Sequence, residues 1–149
     1  SWVGGFSLSK SFVSSHQIQE ELKMAKNAIV VFNHACFTAG SAAGDPVITQ
    51  AEAHRRVSIY SHPFMDLGFA SYYANNFYGL NEYFDGLFAG NYANDVYIKT
   101  ASSWSLILEL KPYEYRADSE IGISRYGDKD YDVAFVGRKD FTVLDWLKK

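Results

Sequence analysis

Apolar positions in the first third of the chain follow two different periods. Behind the capping pair Ser14 and Gln17, apolar residues recur at helical spacing, which predicts a helix over about residues 15–26. Residues 28–32 are a continuous apolar run, Ala-Ile-Val-Val-Phe. Such a short, β-branched run is typical of a central strand that is buried on both faces. We therefore expect a helix followed directly by an interior strand.

A second helix is predicted after a loop rich in small residues. Thr49 and Glu52 form a capping box, in which each side chain can bond to the other residue's backbone N–H. Apolar residues at helical spacing continue from there to Gly68, a residue suited to the end of a helix. Pro63 lies inside this pattern, so we expect a kink or break near His62.

The remaining pattern changes from mixed helices and strands to mainly strands. Strands are expected over residues 69–74, 105–110, 120–124 and 131–136, and helices over residues 81–89 and 145–148. Residues 1–13 have the composition of an irregular lead-in or a lone strand. This order predicts an α/β fold: a three-layer sandwich with a mainly parallel central sheet and a β-rich C-terminal extension.

Composition and charge narrow the classes of function. The chain has 149 residues, the length of one domain, so we expect residues 1–149 to form a single α/β domain or the C-terminal portion of a larger protein. A net charge of −3 gives no basic surface for nucleic acid. No apolar run reaches the roughly twenty residues of a membrane span, and neither a signal peptide nor a cofactor motif is recognisable. The single cysteine excludes a disulfide within the chain.

The strongest candidate for chemistry is the segment Asn33-His34-Ala35-Cys36, which follows the predicted interior strand. Ligands collect beyond the carboxyl ends of strands in open α/β sheets. The small residues after Cys36 leave room for a substrate and expose backbone N–H groups that could stabilise an oxyanion. Cys36 is therefore a candidate nucleophile, with His34 as a candidate base on the same strand face if the strand continues. The alternative is that Cys36 is an inert core thiol.

Three further groups of residues are weaker candidates for sites. His34, Cys36, His54 and His62 are ligand types that suit zinc, but their spacing matches no compact zinc motif, and we expect no metal. The acidic run at residues 128–132 imitates a calcium loop but lacks its later glycine and glutamate. The aromatic segment at residues 72–78 could stack on sugar, although core packing is the commoner use of such residues.

The segment around Cys36 resembles the caspase-like cysteine peptidases, a group that includes gingipains and the CHAT peptidases. The similarity extends over residues 28–90: an apolar strand leading into Ala-Cys, a small-residue loop, a helix that passes through Leu67-Gly68-Phe69-Ala70 into the following strand, and a helix that closes on Gly90. The resemblance implies that Cys36 is the nucleophile of a peptidase. The histidine of that family lies on an upstream strand and is followed by glycine, and no His-Gly precedes Cys36 here.

Two functions follow from these observations. The first is a caspase-like domain without a complete catalytic dyad, which acts as a binding or structural module for a peptide or protein, with carbohydrate as an alternative ligand. The second is a cysteine peptidase in which Cys36 attacks a peptide bond and a histidine is supplied by His34 or by a region outside this sequence. Oligomeric state and cellular compartment are left open.

Overall fold

The computed structural model of the chain describes residues 5–8, 10–76, 80–128 and 130–148. Its strands, in chain order, are β1 Gly5–Leu8, β2 Ser11–Ser14, β3 Ile29–Asn33, β4 Ser71–Asn75, β5 Ile107–Pro112, β6 Ser119–Arg125 and β7 Tyr131–Arg138. Its helices are α1 Ser15–Glu21, α2 Gln50–Asp66, α3 Asn81–Phe88 and α4 Ala93–Ser103, followed by a terminal 3₁₀ helix, Val143–Leu147. The fold class is mixed α/β, as predicted. Residues 1–4 of the expected lead-in, Tyr78 of the aromatic segment and Lys129 of the acidic turn lie outside the described residues.

The sheet corrects the prediction of a mainly parallel arrangement. Five strands form one sheet in the order β3-β4-β7-β6-β5. Only β3 and β4 are parallel among these neighbours, and the other three pairs are antiparallel. The reason is the chain's route: α2 carries it from β3 back to the start of β4, whereas short turns join β5 to β6 and β6 to β7, and short turns connect antiparallel strands.

Helices bury apolar side chains on both faces of this sheet. On one face, α2 packs over a cluster that contains Tyr72, Ile121 and Val136. On the other face, α3 and α4 enclose a second cluster that contains Tyr73 and Phe135. Neighbouring β4 residues therefore face opposite clusters, as the alternation of side chains along a strand requires. All five β4 residues are buried, which identifies β4 as an interior strand.

The predicted interior strand, β3, lies instead at an edge of the sheet. Its residues Ile29 to Phe32 are half-buried, although the apolar run predicted burial on both faces. The hairpin formed by β1 and β2 contributes partial cover, because the ring of Phe6 stacks on Phe32 with centroids 4.8 Å apart. The predicted lead-in thus contains two paired strands rather than one.

Helix α2 continues through Pro63, which corrects the predicted kink or break near His62. Thr49 caps its first turn by accepting the N–H of Glu52. Proline removes one backbone hydrogen bond and is most disruptive in mid-helix. Here it lies in the last turn, and the helix ends three residues later at Asp66. Gly68 follows with a φ of +85°, as expected for a glycine beyond a helix end.

Helix α4 was not predicted. Its apolar residues are separated by Asn94, Asp95 and Lys99 and carry little aliphatic bulk. Among the described residues, no helix is both long and apolar enough to cross a membrane.

Candidate functional site

Cys36 lies in a tight loop directly after β3 and is exposed to solvent. His34 ends the strand with a φ of +56°, and its N–H still bonds to the carbonyl of Asn75 at 2.9 Å. Because His34 leaves extended geometry, the strand alternation that would place its ring beside Cys36 is lost. In the described part of the chain, no hydrogen bond joins the two side chains. The structure places both residues at the carboxyl end of β3.

Backbone and side-chain hydrogen bonds fix the shape of the Cys36 loop. The Thr38 hydroxyl donates to the carbonyl of Ala35 at 2.6 Å. The N–H of Phe37 bonds to the carbonyl of Ser41, and the N–H of Gly40 bonds to the carbonyl of Phe37, both at 3.0 Å. Phe37 and Gly40 have φ values of +67° and +122°. A positive φ in a bulky residue is costly, so these bonds hold a conformation that the free chain would rarely adopt.

Buried groups of the sheet anchor the same loop from below. The Tyr72 hydroxyl donates to the carbonyl of Thr38 at 2.8 Å. The Ser41 hydroxyl accepts the N–H of Tyr131 at 2.9 Å, and the Asn76 amide donates to the carbonyl of Ser41 at 3.0 Å. Asn76 also bonds to Asp132, whose pKa is raised above its usual value by burial. These hydrogen bonds attach the loop to the strands beneath it.

Arg56 of α2 holds the other side of the loop. Its guanidinium donates to the carbonyl of Gly40 at 3.0 Å, pairs with Asp45, and lies 5.0 Å from the ring centre of Phe37. Its Nε also bonds to Glu52 at 2.9 Å. Hydrogen bonds from Arg55 and Arg56 lower the pKa of Glu52 to about 2, so Glu52 remains an anion at neutral pH. Arg56 is thereby fixed between two carboxylates.

Among the described residues, no hydrogen bond joins Cys36 to a histidine. Tyr60 of α2 lies near the thiol: burial raises the pKa of Tyr60, Arg56 lowers it, and the neighbouring Cys36 raises it. Successive helical residues are about 100° apart, so His54 is turned about 200° from Arg56. His54 and His62 both line a cleft that does not include Cys36. The thiol is exposed, and no described hydrogen bond links it to a proton acceptor.

A wide cleft lies between α2 and the outer strand of the sheet, and we call it the α2–β5 cleft. Its volume is about 910 Å³. Helix α2 covers the middle of the sheet, so a strip of β5 and the following loop remains open as the floor. The lining comprises Ser15, His16 and Gln19 from α1; Ala51, His54, Arg55, Ser58, Ile59, His62 and Asp66 from α2; and Lys111, Pro112, Tyr113, Glu114, Tyr115 and Ile121 from the sheet side.

A histidine–carboxylate pair joins the helix to the floor of this cleft. Nε2 of His54 lies 3.3 Å from a carboxylate oxygen of Glu109. Burial lowers the pKa of His54, and the charge of Lys111 lowers it further, while Glu109 opposes both. His54 is therefore neutral at neutral pH, and it donates its Nε2 proton to Glu109.

A second such pair lies near the rim, where the side chains are more exposed. Nε2 of His62 lies 3.2 Å from Asp66, which also accepts the Gln19 amide at 2.9 Å. The ring of Tyr115 lies 5.1 Å from that of His62 and remains 55% exposed. The cleft thus combines an exposed aromatic ring, apolar side chains and polar groups of both signs, which is the usual composition of a binding site.

The structure also locates the other candidate residues. Tyr72 and Tyr73 are fully buried, so the prediction of a sugar-stacking surface fails for these two residues and the core-packing alternative is correct. Asp132 is buried as well and bonds to Asn76, whereas Asp128 is fully exposed. Within the described ranges, no three histidine, cysteine, aspartate or glutamate side chains converge as a metal site would require.

Sequence reasoning did not find the α2–β5 cleft. His54 and Glu109 are 55 positions apart, and their contact depends on the order of strands in the sheet. The available signal was the spacing of His54, Ser58 and His62, which places three polar side chains on one face of a helix.

No protein-family model matches this chain, and no curated protein or solved structure is detectably similar to it.

Proposed function

We propose that this domain is a binding module for a peptide or a protein segment and that the α2–β5 cleft is its site. One observation carries the proposal. About 910 Å³ of open space lies over a strip of the sheet that no described helix covers, and clefts of this size bury most of a bound ligand. In addition, no described hydrogen bond joins Cys36 to a histidine, which favours binding over catalysis.

The lining favours a peptide as the ligand. Ile59 and the exposed ring of Tyr115 offer apolar contact, while Lys111 and the His54–Glu109 pair offer charged and hydrogen-bonding groups. Peptides carry apolar side chains and backbone donors and acceptors together, and aromatic residues are enriched where proteins bind them. A sugar would depend on stacking against Tyr115, which makes carbohydrate the weaker alternative.

A pair of matched variants tests the site. Peptides are selected from a random twelve-residue library on the folded domain, and the Kd of a synthetic winner is measured by calorimetry. Tyr115→Ala should weaken that Kd at least tenfold, since exposed aromatic anchors dominate such interfaces. Tyr126→Ala is the control, because Tyr126 is similarly exposed, at 57% against 55%, but does not line the cleft. Equal binding by both variants, or enrichment of no peptide, would refute the proposal.

A second candidate function is a cysteine peptidase, and the exposure of Cys36 on a fixed loop favours it. In that reaction Sγ of Cys36 attacks the carbonyl carbon, the C–N bond breaks, and the amine leaves with a proton from a histidine. Water then hydrolyses the thioester. Among the described residues, nothing accepts the N–H of Cys36 in a hydrogen bond, so this group is free to bind the oxyanion.

The peptidase candidate assumes a caspase-like arrangement of helices and strands. Its support is the order of elements from β3 to α3, together with the parallel pair formed by β3 and β4. His34 or a histidine from a region outside this sequence would act as the base. A peptidyl acyloxymethyl ketone should label wild-type protein but not Cys36→Ala, and His34→Ala would reveal whether His34 is required. Labelling by iodoacetamide without labelling by the ketone would show an accessible thiol with no peptidase activity.

A further inference from the structure

The two outer strands of the five-stranded sheet differ in how their free edges are protected. Strand β5 contains Glu109, Lys111 and Pro112, whereas β3 is Ile-Val-Val-Phe-Asn, with neither a charge nor a proline. Natural sheets protect free edges with charged residues and proline, because an unprotected edge pairs with any available strand. Strand β5 has this protection and β3 has none.

Backbone hydrogen bonds at the two ends of β3 show which of its backbone groups face the free edge. The carbonyl of Ala28 accepts the N–H of Ala70, and the N–H of His34 donates to Asn75, so both of these residues face β4. Successive residues of a strand point their backbone groups to alternate sides. The N–H and carbonyl groups of Ile29, Val31 and Asn33 therefore face outward.

The same reasoning applied to β5 gives a different result. The N–H of Tyr113 bonds to the carbonyl of Ser119, toward β6. Alternation then turns Leu108, Leu110 and Pro112 outward. Pro112 has no N–H, so its place on the outward side costs no hydrogen bond and blocks the addition of another strand.

We propose that two copies of this chain pair through the free edge of β3. The strands run antiparallel about a twofold axis at Val31, so that Val31 meets its copy and Ile29 of one chain meets Asn33 of the other. These are the outward-facing residues, and no like charges oppose each other. The two sheets become one continuous sheet of ten strands.

The contrast between the edges explains why association stops at a dimer. A head-to-tail contact between β3 of one copy and β5 of the next would continue indefinitely and produce a filament. Protection of β5 excludes that contact. Pairing of β3 with β3 uses the same surface on both chains and consumes the only unprotected edge among the described strands of this sheet, so the assembly is closed.

Light scattering coupled to gel filtration tests the dimer directly. The wild-type protein, over a micromolar concentration series, should reach twice the 16.8 kDa of the chain. Val31→Pro removes an outward N–H and leaves the β3–β4 hydrogen bonds in place, so it should shift the protein to monomer. Leu110→Pro makes the corresponding change on the outer side of β5 and should leave the dimer intact.

A second measurement uses only the wild-type protein, so it does not depend on whether a variant folds. Amide hydrogen exchange on the wild-type protein should show that protection of Ile29, Val31 and Asn33 rises with protein concentration, while protection of Leu108 and Leu110 stays constant. A mass of one chain at all concentrations, or exchange at Val31 that does not depend on concentration, would overturn the proposal. A dimer that survives Val31→Pro would overturn it as well, because its interface would lie elsewhere.

Discussion

The hydroxyl of Tyr72, a residue of β4, donates a 2.8 Å hydrogen bond to the carbonyl oxygen of Thr38. Tyr72 is fully buried and Thr38 nearly so. This bond fixes the loop that carries Cys36 to the most buried strand of the sheet. An exposed thiol is thus supported by a core hydrogen bond.

Tyr72→Phe should destabilise the protein by about 1–3 kcal/mol, since it leaves a buried carbonyl without its donor. Amide exchange in the loop at residues 36–41 should also accelerate. The matched control is Tyr73→Phe, which removes an equally buried bond to the carbonyl of Ala93 at 2.8 Å on the opposite face. Urea unfolding should give similar losses for both variants. If loop exchange accelerates equally in both, the anchoring role assigned to Tyr72 is wrong.

Arg56→Met should loosen the same loop from its other side. The variant leaves the carbonyl of Gly40 and the carboxylate of Asp45 without the guanidinium that binds them. Exchange of the Gly40 amide should therefore accelerate, and the pKa of Glu52 should rise from about 2 because one of its two arginine partners is lost. Both quantities are measured by NMR.

Arg55→Met separates these two effects. Arg55 bonds to Glu52 but contacts neither Gly40 nor Asp45 through any described hydrogen bond. The pKa of Glu52 should rise in this variant while loop exchange stays at the wild-type rate. A change in loop exchange after Arg55→Met would mean that Glu52, rather than the bonds of Arg56 to the loop, controls its mobility.

His54 should make stability sensitive to mild acid. Its folded pKa lies below the ordinary 6.5, because burial and the charge of Lys111 disfavour the imidazolium. As the pH falls, His54 therefore takes up a proton in the unfolded chain before it does so in the folded protein. The free energy of unfolding then falls below about pH 6.5, by at most about 1.4 kcal/mol per pH unit. Above that pH, His54 makes no pH-dependent contribution.

Two variants check the origin of this acid sensitivity. His54→Gln should flatten the loss of stability below pH 6.5 in urea unfolding measured at a series of pH values. Lys111→Met should raise the pKa of His54 in an NMR titration, because the neighbouring cation is removed. An unchanged slope in the first variant would show that other groups cause the acid sensitivity.

Much of the secondary structure could be predicted from local signals. The Thr49 cap and the helical spacing behind it gave α2, and the β-branched run gave β3. The position of β3 within the sheet could not be predicted. Its apolar, β-branched composition is that of an interior strand, although β3 lies at an edge of the sheet. Helix α4 was missed because its buried residues include Ala93, Thr100 and Ala101, which carry little hydrophobic signal.

The candidate site was only partly predictable for the same reason. The position of Cys36 just beyond a strand was predicted from the sequence, whereas the sequence left open whether its thiol is exposed or buried. The direction of the His34 side chain depends on a backbone conformation with positive φ, for which histidine gives a weak signal. Contacts across the cleft, such as His54 with Glu109, depend on strand order, which pattern alone does not determine.

The measurement that tests the central claim most directly is ¹H–¹⁵N chemical-shift mapping of the folded domain with a peptide selected from the random library. The account predicts saturable shifts at Ser58, His62, Lys111 and Tyr115, with little change at residues 36–41. Shifts confined to the loop around Cys36 would contradict it and would identify the carboxyl end of β3 as the binding site instead.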